Sequence, residues 1–190
     1  MSPDIRNLYW TVMEFITIGF LGIYRFDNNA TIRGGILVTD SSTKPLEFRV
    51  TASVRPQKFQ EIVYGDILNE HVAVELMGLP LLNALDQKPN VVIVRDILLL
   101  GLNAKQSIPT ICLLKDDESL IQKGTSTKSL NLSNSDRSLI KIHTSGQAEL
   151  QIEEIVQNLQ QIVEHRDLME PFNRLEKACL DVHERKVGDR

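Results

Sequence analysis

The segments GGILVTD (residues 34–40), PLEFRVTASVRPQKFQEIVYGD (45–66) and PLLNALDQKPNVVIVRD (80–96) decide the fold that we predict for this chain. Apolar and polar residues alternate over residues 46–53, which is typical of a half-buried strand. Behind that strand the apolar spacing changes to that of an amphipathic helix. The compact apolar run Asn90–Val94 is typical of a strand buried on both faces. The three segments therefore predict strand, turn, strand, helix and strand.

The rest of the chain extends this pattern on both sides. A strand predicted at Phe15–Phe26 and a reversal at Asp27–Asn29 place three strands in an antiparallel meander. The amphipathic helix is predicted over Pro56–Met77, because proline suits a first helical turn. The further predicted elements are a strand at Thr31–Thr39, a helical piece at Leu79–Leu85, a helical connection at Ile97–Leu102, a strand at Pro109–Leu114, an exposed loop at Lys123–Ser138 and an edge strand at Leu139–His143.

The composition is that of an ordinary folded protein. Its 190 residues are 42% apolar and 24% charged. This composition excludes a chain that is disordered, or a coiled coil, over its whole length. The net charge of -4 argues against a protein that binds nucleic acid through its overall charge, and leaves only a local patch for such binding. The apolar run Phe15–Tyr24 is shorter than the ~20 residues that span a bilayer. We therefore expect no membrane segment and a cytoplasmic protein.

Cysteine and histidine show no metal-binding or disulfide pattern. Cys112 and Cys179 lie far apart in apolar contexts, so we expect two buried thiols. The four histidines share no short spacing with one another or with a cysteine. We expect these histidines at the surface or at the boundary of the core.

Residues 147–190 carry the clearest helical pattern, with apolar side chains at helical spacing in two stretches. We therefore divide the chain into an α/β domain (1–146) and a C-terminal helical extension (147–190). The first helix is expected to cover the sheet. The second is predicted to bind a protein partner or a second copy of the chain, because less of the domain is left for it to cover. The predicted interface residues are Leu168, Phe172, Leu175 and Val182.

The order of elements, together with the run PLLNAL…KPNVVIVRD, resembles the ribonuclease H-like fold over roughly Phe15 to Leu114. The resemblance implies a mixed sheet with an antiparallel three-strand meander, followed by alternating helices and strands. The combination of GGILVTD, PLEFR, RPxxxQxIxYG, PLL and DLMEPF is also similar to an uncharacterised bacterial protein family along almost the whole chain. That second resemblance implies a fold unit and no chemistry.

Nucleases of the ribonuclease H-like fold hold divalent metal ions with carboxylates in the middle of strand one, on the first helix and at the end of strand four. By this resemblance Asp96 matches the strand-four position, and Glu61, Asp66 or Glu70 could match the helix position. Strand one has no carboxylate. A central ligand is therefore missing for the metal ions that would stabilise the attacking and leaving oxygens. The sequence therefore favours no metal and no cofactor, with Mg²⁺ or Mn²⁺ only if the chain is a nuclease.

Three cations cluster around the end of strand three and the start of the following helix: Arg49, Arg55 and Lys58. Because a helix N-terminus also favours anions, this cluster is a candidate site for a phosphate or an acidic partner. The alternative, which we favour, is that Arg49 pairs with Glu47 or another neighbour on the exposed face of the sheet.

The leading hypothesis from the sequence is a non-catalytic binding or structural subunit of a bacterial multiprotein assembly, such as defence or mobile-element machinery. It predicts that the purified protein with Mg²⁺ or Mn²⁺ leaves nucleic acids intact. Two alternatives stay open. One is a divergent metal-dependent ribonuclease H-like nuclease that uses Asp96 with Glu61 or Glu70, and the other is a small anion-binding regulator.

Overall fold

The computed structural model describes residues 17–115, 128–133 and 139–188. In these residues seven strands form one mixed sheet. They are β1 (Ile18–Phe26), β2 (Thr31–Thr39), β3 (Pro45–Val50), β4 (Val91–Val94), β5 (Thr110–Lys115), β6 (Lys128–Ser133) and β7 (Leu139–Thr144). Across the sheet the order is β3-β2-β1-β4-β5-β7-β6. The meander followed by alternating helices and strands is the predicted architecture.

Helices cover both faces of this sheet. The α-helices are α1 (Lys58–Tyr64), α2 (Leu68–His71), α3 (Leu79–Asn83), α4 (Ile152–Val163) and α5 (Glu170–Gly188). Helices α4 and α5 pack on one face, and the segment from α2 to α3 packs on the other together with the 3₁₀ helix Ile97–Ala104. The described residues therefore form three layers. Within them, no helix combines the length and the apolar character needed to cross a membrane.

The first hairpin forms as predicted. β1 and β2 pair antiparallel along their whole length, from Ile18 opposite Thr39 to Phe26 opposite Thr31. The reversal between them has three consecutive residues with positive φ, at Asp27, Asn28 and Asn29. Aspartate and asparagine tolerate this left-handed conformation better than most residues do, which is why a tight turn forms there.

Strand β4 lies at the centre of the sheet, as its sequence predicts. It pairs parallel with β1 on one side and with β5 on the other. Its four side chains, from Val91 to Val94, are between 0% and 3% exposed. A strand with helices on both faces has no side that meets water, so every position in it is apolar.

The predicted helix over Pro56–Met77 is divided into shorter pieces. α1 ends at Gly65, which has a positive φ of 54°, and a 3₁₀ turn, α2 and a π-helical segment (Val72–Gly78) follow. The prediction of a single continuous helix is therefore wrong. The apolar residues of its first half, which were expected to face the core, are exposed, and burial begins at Val72. The turn at the glycine directs α1 away from the sheet.

Strand β3 is more exposed than its alternating pattern predicts. Leu46 and Phe48 are exposed although they lie on the face expected to be buried. β3 is an edge strand, and α5 packs mainly on β1 and β2, with Val50 at the end of β3 beside the same cluster. The helical layer is therefore too narrow to cover β3.

The far edge of the sheet differs from the prediction. Residues 128–133, within the predicted loop Lys123–Ser138, form strand β6, which pairs antiparallel with β7. The predicted edge strand Leu139–His143 is present as β7, but it lies between β5 and β6 and is not an edge. The other residues of the predicted loop, and residues 1–16, lie outside the described residues.

The two C-terminal helices form as predicted, and both belong to the core. Leu168, Phe172 and Leu175, three of the residues predicted as an interface, are buried against the sheet of the same chain, while Val182 is half-buried. The Phe172 ring meets the Phe20 ring of β1 edge to face, with 5.4 Å between centroids. The sheet of the same chain therefore covers the apolar stripe of α5, which the sequence analysis predicted to bind a partner.

Candidate functional site

Strand β4 ends at the centre of the sheet beside the middle of β1, which continues for five more residues to Phe26. The two strands are parallel with Leu21 opposite Val94, so the same register places Gly22 beside Arg95. Both positions lie on the face covered by α5, because side chains alternate along a strand and Phe20 packs against that helix. In α/β sheets, ligands bind outside the carboxyl ends of the parallel strands. This edge is therefore the first place to look for a functional site.

Gly22 makes room for the side chain of Tyr24. A Cβ at position 22 would stand 2.5 Å from the Tyr24 hydroxyl oxygen, which is closer than real side chains approach. That hydroxyl donates a hydrogen bond of 3.4 Å to the backbone carbonyl of Phe172, in α5. Burial raises the pKa of Tyr24, so its hydroxyl stays protonated. A neutral phenol thus lies where the resemblance implied the central carboxylate of strand one.

Two guanidinium groups lie near the carboxyl end of β4, Arg95 on the face covered by α5 and Arg25 on the opposite face. Arg95, which follows β4, is half-buried, and its Nη1 donates to the sulfur of Met169 at 3.1 Å. Arg25, near the end of β1, is exposed and donates to the side-chain oxygen of Asn69 on α2 at 3.1 Å. Guanidinium groups recognise phosphate by paired hydrogen bonds. The edge is suited to an anionic ligand.

The three carboxylates predicted for a nuclease take different positions. Asp96 caps the 3₁₀ helix that follows β4, and its Oδ1 accepts a hydrogen bond of 3.0 Å from the Leu98 N–H. Glu70 lies on α2 beside that same helix, with Oε1 3.4 Å from where a Cβ of Gly101 would stand. Glu61 lies on α1 and pairs with Lys58 at 3.1 Å. Asp96 and Glu70 therefore both lie beside the 3₁₀ helix Ile97–Ala104, whereas Glu61 lies on a different helix, α1.

A metal centre of the kind implied by the resemblance does not fit the part of the chain that the structure describes. Within it, no group of three or more histidine, cysteine, aspartate or glutamate side chains is placed to hold a metal ion. Divalent metal catalysis needs several convergent carboxylates, whereas the central positions here carry a phenol and a guanidinium. The described residues supply polar and cationic groups instead.

A second polar cluster, which the sequence did not predict, closes the end of the first hairpin. The ring of His183, on α5, lies between Arg33 and Asp27 and stacks on Phe26 with 4.5 Å between centroids. Arg33 Nε is 3.1 Å from His183 Nδ1, and His183 Nε2 is 3.2 Å from Asp27 Oδ1. His183 is buried, which corrects its predicted surface or boundary position.

The partners of His183 determine its tautomer. An arginine Nε–H can only donate, so Nδ1 of the neutral ring accepts and the ring proton lies on Nε2, where it is donated to Asp27. Asp27 also accepts from the Thr31 hydroxyl and from Arg55, both at 2.6 Å. Thr31 first and His183 second lower the pKa of Asp27 to about 2. Both ring nitrogens have partners within the chain, so this cluster connects α5 to the first hairpin.

The predicted anion site is not an open cluster of cations. Arg49 pairs with Glu47 at 2.6 Å and with Asp86 at 2.8 Å, which confirms the alternative that we favoured. Arg55 pairs with Asp27, and Lys58 with a glutamate of its own helix. Each of the three cations therefore already has a carboxylate within the chain.

Comparison with solved structures relates this architecture to known proteins. No protein-family model matches the sequence, and no curated protein sequence does. Endonuclease V from Bacillus subtilis matches with a TM-score of 0.61 at 11% identity, over 92% of this chain and 83% of that one. Endonuclease V from Streptomyces avermitilis matches with a TM-score of 0.58 at 12% identity, over 90% and 82%. A Ciona intestinalis endonuclease V, bound to DNA that contains an inosine followed by a ribo-adenosine, matches with a TM-score of 0.50 at 14% identity, over 90% and 87%.

These matches cover 90% to 92% of the chain with TM-scores of 0.50 to 0.61. The chain has a ribonuclease H-like fold. The predicted fold class is thereby confirmed, including the mixed sheet with its leading meander. At these identities the likeness concerns the ribonuclease H-like fold and does not extend to individual site residues.

The same comparison corrects the leading functional hypothesis. The sequence favoured a non-catalytic binding or structural subunit, but the three matching structures named above are endonucleases. The alternative of a divergent nuclease fits these neighbours better. The sequence-based hypothesis gave too much weight to one position, the missing carboxylate of strand one. It gave too little weight to the ribonuclease H-like order of elements along the chain.

Proposed function

We propose that this protein is a divergent nuclease, which binds a nucleic-acid strand beside the carboxyl end of β4 and the adjoining half of β1 and hydrolyses it. The observation that carries the proposal is the structural match to endonuclease V over 90% to 92% of the chain. One of the matching endonucleases holds inosine-containing DNA. We therefore take DNA and RNA strands, with and without inosine, as the first substrates to test.

The residues at the strand ends support the binding step. Arg25 is exposed and Arg95 half-buried, so both can meet a phosphate group without leaving the positions they hold. Phosphate contacts of this kind supply most of the affinity for nucleic acid and do not depend on base sequence. Two arginines, one on each face of the sheet, agree with local phosphate binding by a chain whose overall charge is -4.

The carboxylates beside them support the chemical step. Glu70 is exposed on α2, and the preceding residue, Asn69, accepts a hydrogen bond from Arg25. We assign Glu70 as the general base: it takes a proton from water as the water oxygen attacks phosphorus, the bond from phosphorus to the leaving oxygen breaks, and that oxygen takes a proton from solvent. Asp96 fixes the first turn of the 3₁₀ helix through the Leu98 N–H. A cytoplasmic location remains part of this proposal.

The test is a cleavage assay on the purified chain. Labelled single-stranded DNA, duplex DNA, RNA and hybrid, each with and without inosine, are incubated with Mg²⁺, with Mn²⁺ or with EDTA. We expect cleavage by the wild type and a loss of about 100-fold or more in Glu70→Gln, since general bases contribute factors of about 10²–10⁴. Glu61→Gln is the matched control, because its carboxylate lies on α1 and pairs with Lys58.

Two outcomes contradict the proposal. The first is that no substrate is cleaved under any of the three conditions. The second is cleavage that Glu70→Gln, Asp96→Asn and Arg95→Ala all leave at the wild-type rate, since activity would then arise elsewhere or from a contaminant. Circular dichroism of each variant shows whether a loss of cleavage reflects a loss of fold.

A further inference from the structure

The face of the sheet that carries Glu70 and Asp96 receives an apolar side chain from β1. Leu21 of β1 lies opposite Val94 of β4, so the same register places Ile23 level with Asp96 on this face. Ile23 is half-buried and packs against apolar clusters formed with the α2–α3 segment and the 3₁₀ helix. Mg²⁺ and Mn²⁺ bind through oxygen ligands, which an isoleucine cannot supply. The position on β1 that is nearest to Asp96 on this face therefore does not suit a metal ion.

The next side chain of β1 on this face is the guanidinium of Arg25. Its Nη2 donates a hydrogen bond of 3.1 Å to the side-chain oxygen of Asn69, the residue before Glu70 on α2. Asn69 is a neutral amide, so this contact orients the guanidinium without neutralising its charge. Arg49 and Arg55, by contrast, each pair with a carboxylate. Because Arg25 is exposed, a phosphate group can reach it from solvent.

We infer that Arg25 replaces a divalent cation in the proposed reaction, so that this chain cleaves nucleic acid without a metal ion; the inference rests on the proposed nuclease function. Glu70 takes a proton from water as the water oxygen attacks phosphorus, and the bond from phosphorus to the leaving oxygen breaks. The guanidinium of Arg25 stabilises the negative charge that develops on the phosphoryl oxygens during this step. The leaving oxygen takes a proton from solvent. Because Asn69 already orients Arg25, the guanidinium needs little rearrangement to meet this charge.

The charges around the end of β4 favour a phosphate over a metal ion. A dication beside the guanidinium of Arg25 is repelled, whereas a phosphodiester is attracted. Of the two carboxylates on this face, that of Asp96 already accepts the Leu98 N–H through Oδ1. On the opposite face, β1 presents the protonated phenol of Tyr24, and Arg95 follows β4. Both faces therefore place a cationic side chain near the region where the resemblance implied a metal site.

Removal of metal ions tests the inference directly. The purified chain is treated with EDTA, desalted and assayed on whichever labelled strand it cleaves, in EDTA, in Mg²⁺ and in Mn²⁺. We expect the same rate of cleavage under all three conditions. Cleavage that occurs with Mg²⁺ or Mn²⁺ and stops in EDTA would overturn the inference and leave the proposed nuclease function standing. No cleavage under any condition would overturn both.

Isothermal titration with MnCl₂ gives a reading that does not depend on cleavage. We expect no saturable binding of Mn²⁺ by the wild type. Saturable binding that Asp96→Asn or Glu70→Gln removes would overturn the inference, because these two carboxylates would then hold a metal ion in the wild type.

Arg25→Ala tests the role of the guanidinium. This variant should lower kcat by about 100-fold or more and change KM little, because the group acts on charge that develops in the transition state. Free guanidinium ion should restore part of the lost rate, which also shows that the variant is folded. Arg185→Ala is the matched control, since Arg185 is 77% exposed, pairs with Asp181 on α5 and should leave the rate unchanged. A rise in KM at unchanged kcat in Arg25→Ala would overturn the inference, because Arg25 would then only bind the strand.

Discussion

At the residue scale, His183 links a buried arginine, Arg33, to the carboxylate of Asp27. Arg33 is 3% exposed, and a buried guanidinium is costly unless its donors are satisfied and its charge is balanced. Its Nε donates to Nδ1 of His183, and its Nη1 donates to the Thr51 carbonyl at 3.0 Å. The His183 ring in turn donates from Nε2 to Asp27. The charge of Asp27 is therefore part of what stabilises the end of the first hairpin.

The stability of the wild type should depend on Asp27 in acid. Its pKa is about 2 in the folded chain and 3.8 ordinarily, so folding favours the charged form. The contribution is complete above pH ~4 and is lost as the pH falls through ~2. We expect the free energy of unfolding, measured with urea, to fall more steeply over this range in the wild type than in Asp27→Asn.

The control for this prediction is Asp86→Asn. Asp86 also pairs with an arginine, but its side chain is 84% exposed and its partner lies at the surface. This variant should keep the wild-type dependence on pH. Equal slopes for wild type and Asp27→Asn would show that the cluster draws no stability from the charge of Asp27.

The sequence contained a partial signal for this cluster. His183 follows Cys179 by four residues and so falls on the apolar stripe of α5, and Arg33 interrupts an otherwise apolar strand. A polar residue on a buried stripe predicts that it has a partner. Which partner it has could not be predicted, because Arg33 and His183 are 150 residues apart and meet only when α5 docks on the sheet.

At the scale of elements, the close approach of α5 to β2 depends on a glycine. A Cβ at Gly35 would overlap the sulfur of Cys179 and lie 3.1 Å from a methyl of Leu175. Burial raises the pKa of the Cys179 thiol to about 12, so it behaves as a small apolar group in this contact. Side chains of α5 fill the space that Gly35 leaves open.

Gly35→Ala should therefore destabilise the fold, and Cys179→Ala should relieve it. Overpacking a core by one methyl group costs about 1–3 kcal/mol. Removal of the sulfur gives the new methyl room, so the double variant should lose less than the sum of the two single losses in a double-mutant cycle. Chemical denaturation of all four proteins measures this. Additive losses would contradict direct contact between the two positions.

Elements were predictable where a single pattern determined them. The run of valine and isoleucine in β4 has one stable position, at the centre of the sheet, because only there are both faces covered. The length of the helix after Pro56 was not predictable, because its apolar spacing continues through Gly65 and the change of direction there depends on one backbone dihedral angle. The same change left Glu61 apart from Glu70, so the sequence could not choose between these two carboxylates.

At the scale of the whole molecule, stability is unevenly distributed. β1 and β4 lie at the centre of the sheet with helices on both faces, whereas α1 contributes no side chain to any core cluster. Regions with few buried apolar contacts open locally at a small fraction of the cost of global unfolding. α1 should therefore open independently of the sheet.

Native-state hydrogen exchange should resolve this difference. Amides of α1 should exchange about 100-fold faster, or more, than those of β4. Equal protection of α1 and β4 would contradict the structural basis of this prediction.

The docking of α5 on the first hairpin also determines when this protein can finish folding during synthesis. Tyr24 and Phe172, which are hydrogen-bonded, are 148 residues apart. At translation rates of about 5–20 residues per second, roughly 7–30 s separate the two on the ribosome. Through that interval the nascent meander exposes the apolar face that α5 later covers, including Phe20 and Leu37. The growing chain is therefore a natural client for a ribosome-associated chaperone until α5 has emerged from the exit tunnel.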